Sequence, residues 1–310
     1  MSRAFVFPGQ GAQTIGMGRD LADAYPAARA IFDEVDEALG ENLSALIWTG
    51  DIADLTLTAN AQPALMATSL AAMRALEAEG FAITDAAFVA GHSLGEYSAL
   101  AAAGALSVAD TARLLRIRGR AMQEAVPVGV GAMAALLGLD FAAASDVAAE
   151  AATDSEICQA ANDNDPAQVV VSGHKPAVER ACELAKARGA KRALLLPVSA
   201  PFHCALMQPA AEAMAEALSD VTLSAPAVPL VANVRAAPVS DPALIRALLV
   251  EQVTGSVRWR ESVLWMAAQG VTEAWEIGAG KALSGMIKRI SRDISCKPVG
   301  TPGDIAALKG

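Results

Sequence analysis

The chain has 310 residues, 54% of them hydrophobic and 19% charged, so it is long enough to bury a full core as one large α/β domain or as two smaller ones. A net charge of −10 and a pI near 4.8 disfavour a nucleic-acid partner, which demands a dominant basic surface. No apolar run approaches the roughly 20 residues of a membrane span, the N-terminal run is too short for a secretory segment, and Cys158, Cys182, Cys204 and Cys296 lack metal-like spacing, so a cytoplasmic protein with reduced thiols, no metal, no cofactor and no membrane partner is expected.

The first predicted strand, "AFVF" at 4–7, runs into the glycine-rich "FVFPGQGAQ". That stretch is either an ordinary turn or a source of free backbone N–H groups at the end of a sheet; it lacks the lysine and spacing of a phosphate loop. A second strand, "AFVA" at 87–90, leads into "GHSLGEYSAL". The spacing G-x-S-x-G between a strand and a helix can expose a serine hydroxyl above a helix N-terminus, which makes Ser93 either a nucleophile or a small residue at a tight turn. A helix follows in "SVADTARLLRIRGRAMQEA", capped by Ser107 and Asp110. Arg118 lies on its apolar stripe with Leu114 and Met122, whereas Arg116 and Arg120 project from the opposite face. A guanidinium on a buried face needs an anion, either an internal carboxylate or a substrate carboxylate gripped beside the serine.

Between 126 and 197 the predicted order is strand "AMAALLGL", helix "FAAASDVAAEAA", strands "ICQAA" and "QVVVSG", helix "KPAVERACELAKARG" and strand "KRALLLPV". This is the β-α-β-β-α-β order of a ferredoxin-like unit, bracketed by "VPVGVGA" and "LPVSAP". The expected fold is therefore α/β, with a mostly parallel sheet in a body made of residues 1–125 and 198–310 and a small ferredoxin-like domain at 126–197 inserted into it. Further strands are predicted at 228–232, 272–277 and 296–300 in that body.

A serine nucleophile needs a base, and the chain has three histidines. His92 is adjacent to Ser93 around a sharp turn and poorly placed. His174, at a strand-to-helix turn, suits a solvated or capping role. His203, in "PVSAPFHCALM" where the chain re-enters the large body, remains as the candidate, the alternative being a satisfied buried histidine; no nearby carboxylate offers itself as a third member. The Leu94 N–H would give one oxyanion donor, and the "FVFPGQGAQ" turn could supply a second.

These blocks, with "QPAL" at 62–65, "AANDNDPAQVVVSG" at 160–173 and "EIGAGKALSGMIKRI" at 276–290, resemble in order and over essentially the whole chain the malonyl-CoA:acyl-carrier-protein transacylases of fatty-acid synthesis, relatives of polyketide acyltransferases. The resemblance implies a hydrolase-like body with a ferredoxin-like insertion, and ping-pong transfer of malonyl from malonyl-CoA through a Ser93 ester to an acyl carrier protein. It further implies His203 as base and acid, backbone N–H groups of Gln10 and Leu94 as the oxyanion hole, and Arg118 holding the malonyl carboxylate. A backbone carbonyl orients the histidine in this family, with Gln252 of "VEQVTGSVRW" at the matching position; Gln252, Gln62, Asn162 and Phe202 join Arg118 in the substrate-binding set. Phe202 replaces a serine common in stand-alone bacterial members and should crowd an α-methyl branch, favouring malonyl over methylmalonyl. Charge alone nominates Lys186, Arg188, Lys191 and Arg192 as a surface for an acidic carrier, with the protein acting as a monomer. A serine esterase or thioesterase, a polyketide-pathway acyltransferase and a silent carrier-binding module are the competing readings.

Overall fold

A computed structural model describes residues 2–198 and 200–309; Ser199, within the predicted "LPVSAP" bracket, lies outside the described residues together with Met1 and Gly310. Ten strands form two sheets: β1 (Ser2–Phe7), β2 (Phe88–Gly91), β3 (Gly131–Leu137), β4 (Cys158–Asp165), β5 (Gln168–His174), β6 (Arg192–Leu195), β7 (Leu230–Ala232), β8 (Ala237–Val239), β9 (Val271–Ile277) and β10 (Ser295–Val299). The first sheet has the order β10-β9-β1-β2-β7-β8 and is parallel except for the β7–β8 pair. Its central strands are continuous apolar runs because both faces are covered. Phe5, Phe7, Val89 and Leu230 pack into one core. Ala4, Val6, Ala90 and Val231 pack into another, with Trp259 and Met266.

Helix Thr58–Ala78 is buried on nearly every face, as its uniformly apolar sequence requires. Pro63 inside it has no N–H for the Ala59 carbonyl, and Arg116 Nη1 satisfies that carbonyl at 2.8 Å. Arg116 is consequently buried, with Glu41 as ion partner at 2.9 Å, which corrects the reading that it projects outward with Arg120; Arg120 is exposed. Close approach of the two helices depends on Gly119, where a Cβ would lie 2.6 Å from Ala59 Cα.

The second sheet, order β4-β5-β3-β6, is antiparallel, and its elements follow the β-α-β-β-α-β order expected from sequence. Ala134, Leu136, Val169 and Val171 face helices Phe141–Ala151 and Lys175–Ala187. The alternate residues Met133, Ala135 and Val170 face Leu196, Val198 and Phe202. The period of two along each strand thus gives this sheet one structural face and one face toward the first sheet. Backbone bonds from Val257 to Ala161 and from Asp163 to Val257, both 2.9 Å, tie β4 to the loop between helices Pro242–Thr254 and Trp259–Ala268 of the large body. The strand β8 was not foreseen; its Pro238 is tolerated because β8 is the edge of its sheet.

Candidate active site

The register of the first sheet builds the site. Phe7 pairs with Gly91, so the turn after β1 meets the turn after β2, at the C-terminal edge where parallel α/β sheets bind ligands. Close packing explains the glycines. A Cβ on Gly91 would lie 1.9 Å from the Gly95 carbonyl carbon, one on Gly95 2.2 Å from the Phe7 oxygen, and one on Gly9 2.6 Å from the His92 oxygen. Ser93 therefore sits at a fold-back with φ 55, ahead of helix Gly95–Ala102. Left-handed backbone is costly for a residue with a Cβ and persists only where its surroundings impose it. His203 has φ 57, so the two catalytic candidates share this strain.

Ser93 Oγ lies 2.8 Å from His203 Nε2, and His203 Nδ1 lies 2.9 Å from the Gln252 carbonyl oxygen. A carbonyl can only accept, so Nδ1 carries the proton and Nε2 is left as acceptor for the serine hydroxyl. Burial, reinforced by the Arg118 charge, holds His203 down to about 3. The ring is neutral at pH 7 and ready to take a proton.

Arg118 is 1% exposed. Its Nη1 donates to Gln62 Oε1 at 2.8 Å, and its Nη2 to Gln252 Oε1 at 2.9 Å and Ser93 Oγ at 3.1 Å. Burial lowers its affinity for the proton, yet a guanidinium remains charged. No ion pair to Arg118 exists among the described residues, and its Nε has no partner there. The internal salt bridge left open by the sequence is therefore absent from the described residues, and an anion-seeking group points at the serine. Glu96, the nearest buried carboxyl, accepts from Gln252 Nε2, and burial pushes it up to about 8 despite that bond.

A cavity of about 400 Å³ opens over this group, lined by Gln10, Gln62, Arg118, Asn162, Phe202 and both catalytic candidates. Leu94 also lines it, and neither its N–H nor that of Gln10 is engaged by another group among the described residues. Gln252 is a correction: fully buried, it lies behind Ser93 and outside the cavity lining, where its amide also donates to the Ser93 carbonyl at 3.0 Å. Its part is to hold His203 and Arg118 rather than to touch substrate.

His92, as expected, is engaged elsewhere, with Nε2 2.9 Å from Asn164 Oδ1. His174 is a second correction. It makes no side-chain cap, and its Nδ1 accepts from the Ile157 N–H at 3.0 Å. The basic patch is a third. Lys186 and Arg188 close a helix on the face of the second sheet turned away from the cavity, already paired with Glu183 and Glu150. Lys191 and Arg192 are exposed at the start of β6.

Sequence reasoning missed the role of "NDND". Asn162 lines the cavity, but Asp163 is a fully buried partner of Arg260, Asn164 holds His92, and Asp165 pairs with Arg289 at 2.7 Å. Asn233, whose amide touches the Ser93 turn, was also missed. Only the apolar run before it could have pointed to a residue at a strand's end.

Comparison with known proteins agrees with this geometry. The acyl transferase domain family matches residues 4–293. The malonyl CoA-acyl carrier protein transacylase of Bacillus subtilis (strain 168) is 49% identical over 302 residues, covering 97% of this chain and 94% of that protein. That of Escherichia coli (strain K12) is 48% identical over 304 residues, covering 98% and 97%. Among solved structures, the acyl-carrier-protein-S-malonyltransferase of Bartonella henselae superposes with a TM-score of 0.97 at 57% identity, covering 99% and 98% of the two chains. A malonyl-transacylase in complex with a type II PKS acyl-carrier protein does so with a TM-score of 0.95 at 43% identity, covering 99% and 98%. The chain belongs to the acyl transferase family.

Proposed function

We propose that this protein moves a malonyl group from coenzyme A to the phosphopantetheine thiol of an acyl carrier protein, supplying the extender unit of fatty-acid synthesis. In this reading residues 1–125 and 198–310 supply the chemistry, and the inserted segment 126–197 supplies one wall of the cleft. His203 Nε2 takes the Ser93 proton as Oγ attacks the thioester carbonyl. The tetrahedral oxyanion is held by the Gln10 and Leu94 N–H groups, each donor worth about 2.7–4 kcal/mol. Collapse expels the coenzyme A thiolate, which takes the proton back from His203, and leaves malonyl-Ser93. The carrier thiol then gives its proton to His203 and attacks the ester, and Ser93 Oγ is reprotonated as it leaves.

The observation that carries this reading is the buried Arg118 guanidinium 3.1 Å from Ser93 Oγ with no carboxylate bonded to it among the described residues, which suits an acyl group bearing its own carboxylate. Phe202, half-buried on the cavity wall, favours malonyl over methylmalonyl. An acidic carrier would meet Lys191 and Arg192, the two patch charges without an ion pair among the described residues, and the protein would act as a monomer. The relative solved with a type II PKS carrier supports a polyketide carrier as a second acceptor for the same chemistry.

Intact mass after mixing with malonyl-CoA, then with phosphopantetheinylated carrier, tests the proposal. A malonyl adduct that Ser93→Ala abolishes and that moves to the carrier is expected. An adduct lost to water with the carrier unloaded would make the protein a hydrolase, and no adduct at all would leave a carrier-binding module.

A further inference from the structure

Asn233 is fully buried, immediately after β7, at the point where the parallel β2–β7 ladder stops. That ladder pairs Val89 with Leu230 and Ala90 with Val231, and the Val89 N–H donates to the Pro229 carbonyl at 3.0 Å. In a parallel ladder each strand's groups alternate so that one residue donates to a carbonyl and accepts from the N–H two residues further along the neighbouring strand. Continued by that rule, the backbone N–H of residue 233 would reach the Gly91 carbonyl and its C=O would receive the Ser93 N–H. Beyond Gly91, however, the chain turns sharply into the Ser93 fold-back.

The side chain makes both bonds instead. Asn233 Nδ2 donates to the Gly91 carbonyl at 2.7 Å, and Asn233 Oδ1 accepts from the Ser93 N–H at 2.8 Å. The residue's backbone carbonyl is left to accept from the Arg258 N–H at 3.0 Å. Oδ1 also receives Gln252 Nε2 at 3.3 Å, and the Gln252 carbonyl orients His203. One amide thus grips both flanks of the strained serine and touches the residue that holds its base.

We propose that Asn233 is a positioning residue for the nucleophile: its carboxamide replaces one backbone rung and holds Ser93 in the left-handed conformation that points Oγ at His203. The proposal rests on the reading of Ser93 as the nucleophile. A serine conformer that must be imposed from outside should relax when either flank is released, and misplacement of a reacting atom by about 1 Å costs on the order of 100-fold.

The test uses two electrophiles on the full chain. Phenylmethanesulfonyl fluoride needs a presented Ser93 and no carboxylate grip, and malonyl-CoA needs both. Asn233→Ala should slow both reactions by a common factor of about 100 while the malonyl-CoA KM stays within about twofold. Asn233→Asp, which keeps the size and the acceptor but sets a carboxylate oxygen against the Gly91 carbonyl, should slow both in the same way and covers the case in which the alanine variant does not fold. Val231→Ala, in the same strand but facing the other core, is the stability control, with thermal unfolding measured alongside. Full sulfonylation rate in an Asn233 variant, or an equal slowing in Val231→Ala, would overturn the proposal. Should the unmodified protein take the sulfonyl group but never a malonyl group, the transferase reading falls, while the sulfonylation rates still decide the role of Asn233.

Discussion

The two sheets are built by different rules. The antiparallel sheet obeys simple alternation: one face of alanine, valine and leucine meets two helices, and surface charges of those helices pair three or four residues along one helix or between the two. At the C-terminal edge of the parallel sheet, both catalytic candidates have positive φ, and a guanidinium, a carboxyl, an imidazole and three amides are buried in one hydrogen-bonded network. Stability is simple to achieve where no chemistry is required, and local rules are broken where reacting atoms must be held.

The contrast can be broken or sharpened experimentally. The largest expected effect lies at the junction of the sheets. Arg260→Ala strips the fully buried Asp163 of its partner and should cost about 3–5 kcal/mol of stability, read by urea unfolding at neutral pH; a loss under about 1 kcal/mol would mean that the junction tolerates an unpaired carboxylate. Next is Arg118→Ala, which should lower malonyl transfer by about 10²- to 10³-fold, the scale of a buried charged contact, with a relative gain for uncharged acyl-CoAs. Equal losses for acetyl and malonyl groups would show that Arg118 supports the site without reading the carboxylate. Phe202→Ser should narrow the preference for malonyl over methylmalonyl by about tenfold, the worth of one methyl group in a fitted pocket, as measured by competition between the two thioesters.

The smallest effect per step is on pH. His203 titrates at about 3 in the folded chain, against 6.5 for a free imidazole. Between those values the unfolded chain binds the proton and the folded one does not, so stability falls as the pH drops through that window. The slope from this group is at most about 1.4 kcal/mol per pH unit. His203→Gln should flatten it in acid unfolding curves, and the acid limb of kcat/KM should lie well below pH 6.5.

Much of this was legible in the sequence, for reasons that can be named. Strands β1 and β2 read as continuous apolar runs because both their faces are buried, and the inserted β-α-β-β-α-β order stood out from glycine and proline punctuation. Arg118 stood out because it interrupts an apolar helical stripe, and His203 by elimination among three histidines. What was hidden depends on partners far away in the chain. Arg116 is drawn inward by a carbonyl that Pro63 leaves free, which no periodicity within its own helix could reveal. Asn233 follows a three-residue strand and acts on a turn 140 positions earlier. The charge patch was misjudged because a run of basic residues does not disclose which acids lie beside it.

The alternation along β4 reaches beyond the site. Residues 162 to 165 hand successive side chains to the cavity, to Arg260, to His92 and to Arg289, so the strand works as the fixed jaw of a caliper. Its setting is fastened by two ion pairs whose carboxylates are buried while their arginines reach solvent. Four consecutive residues of one strand thus tie the cavity wall to two helices and to the turn that carries the serine.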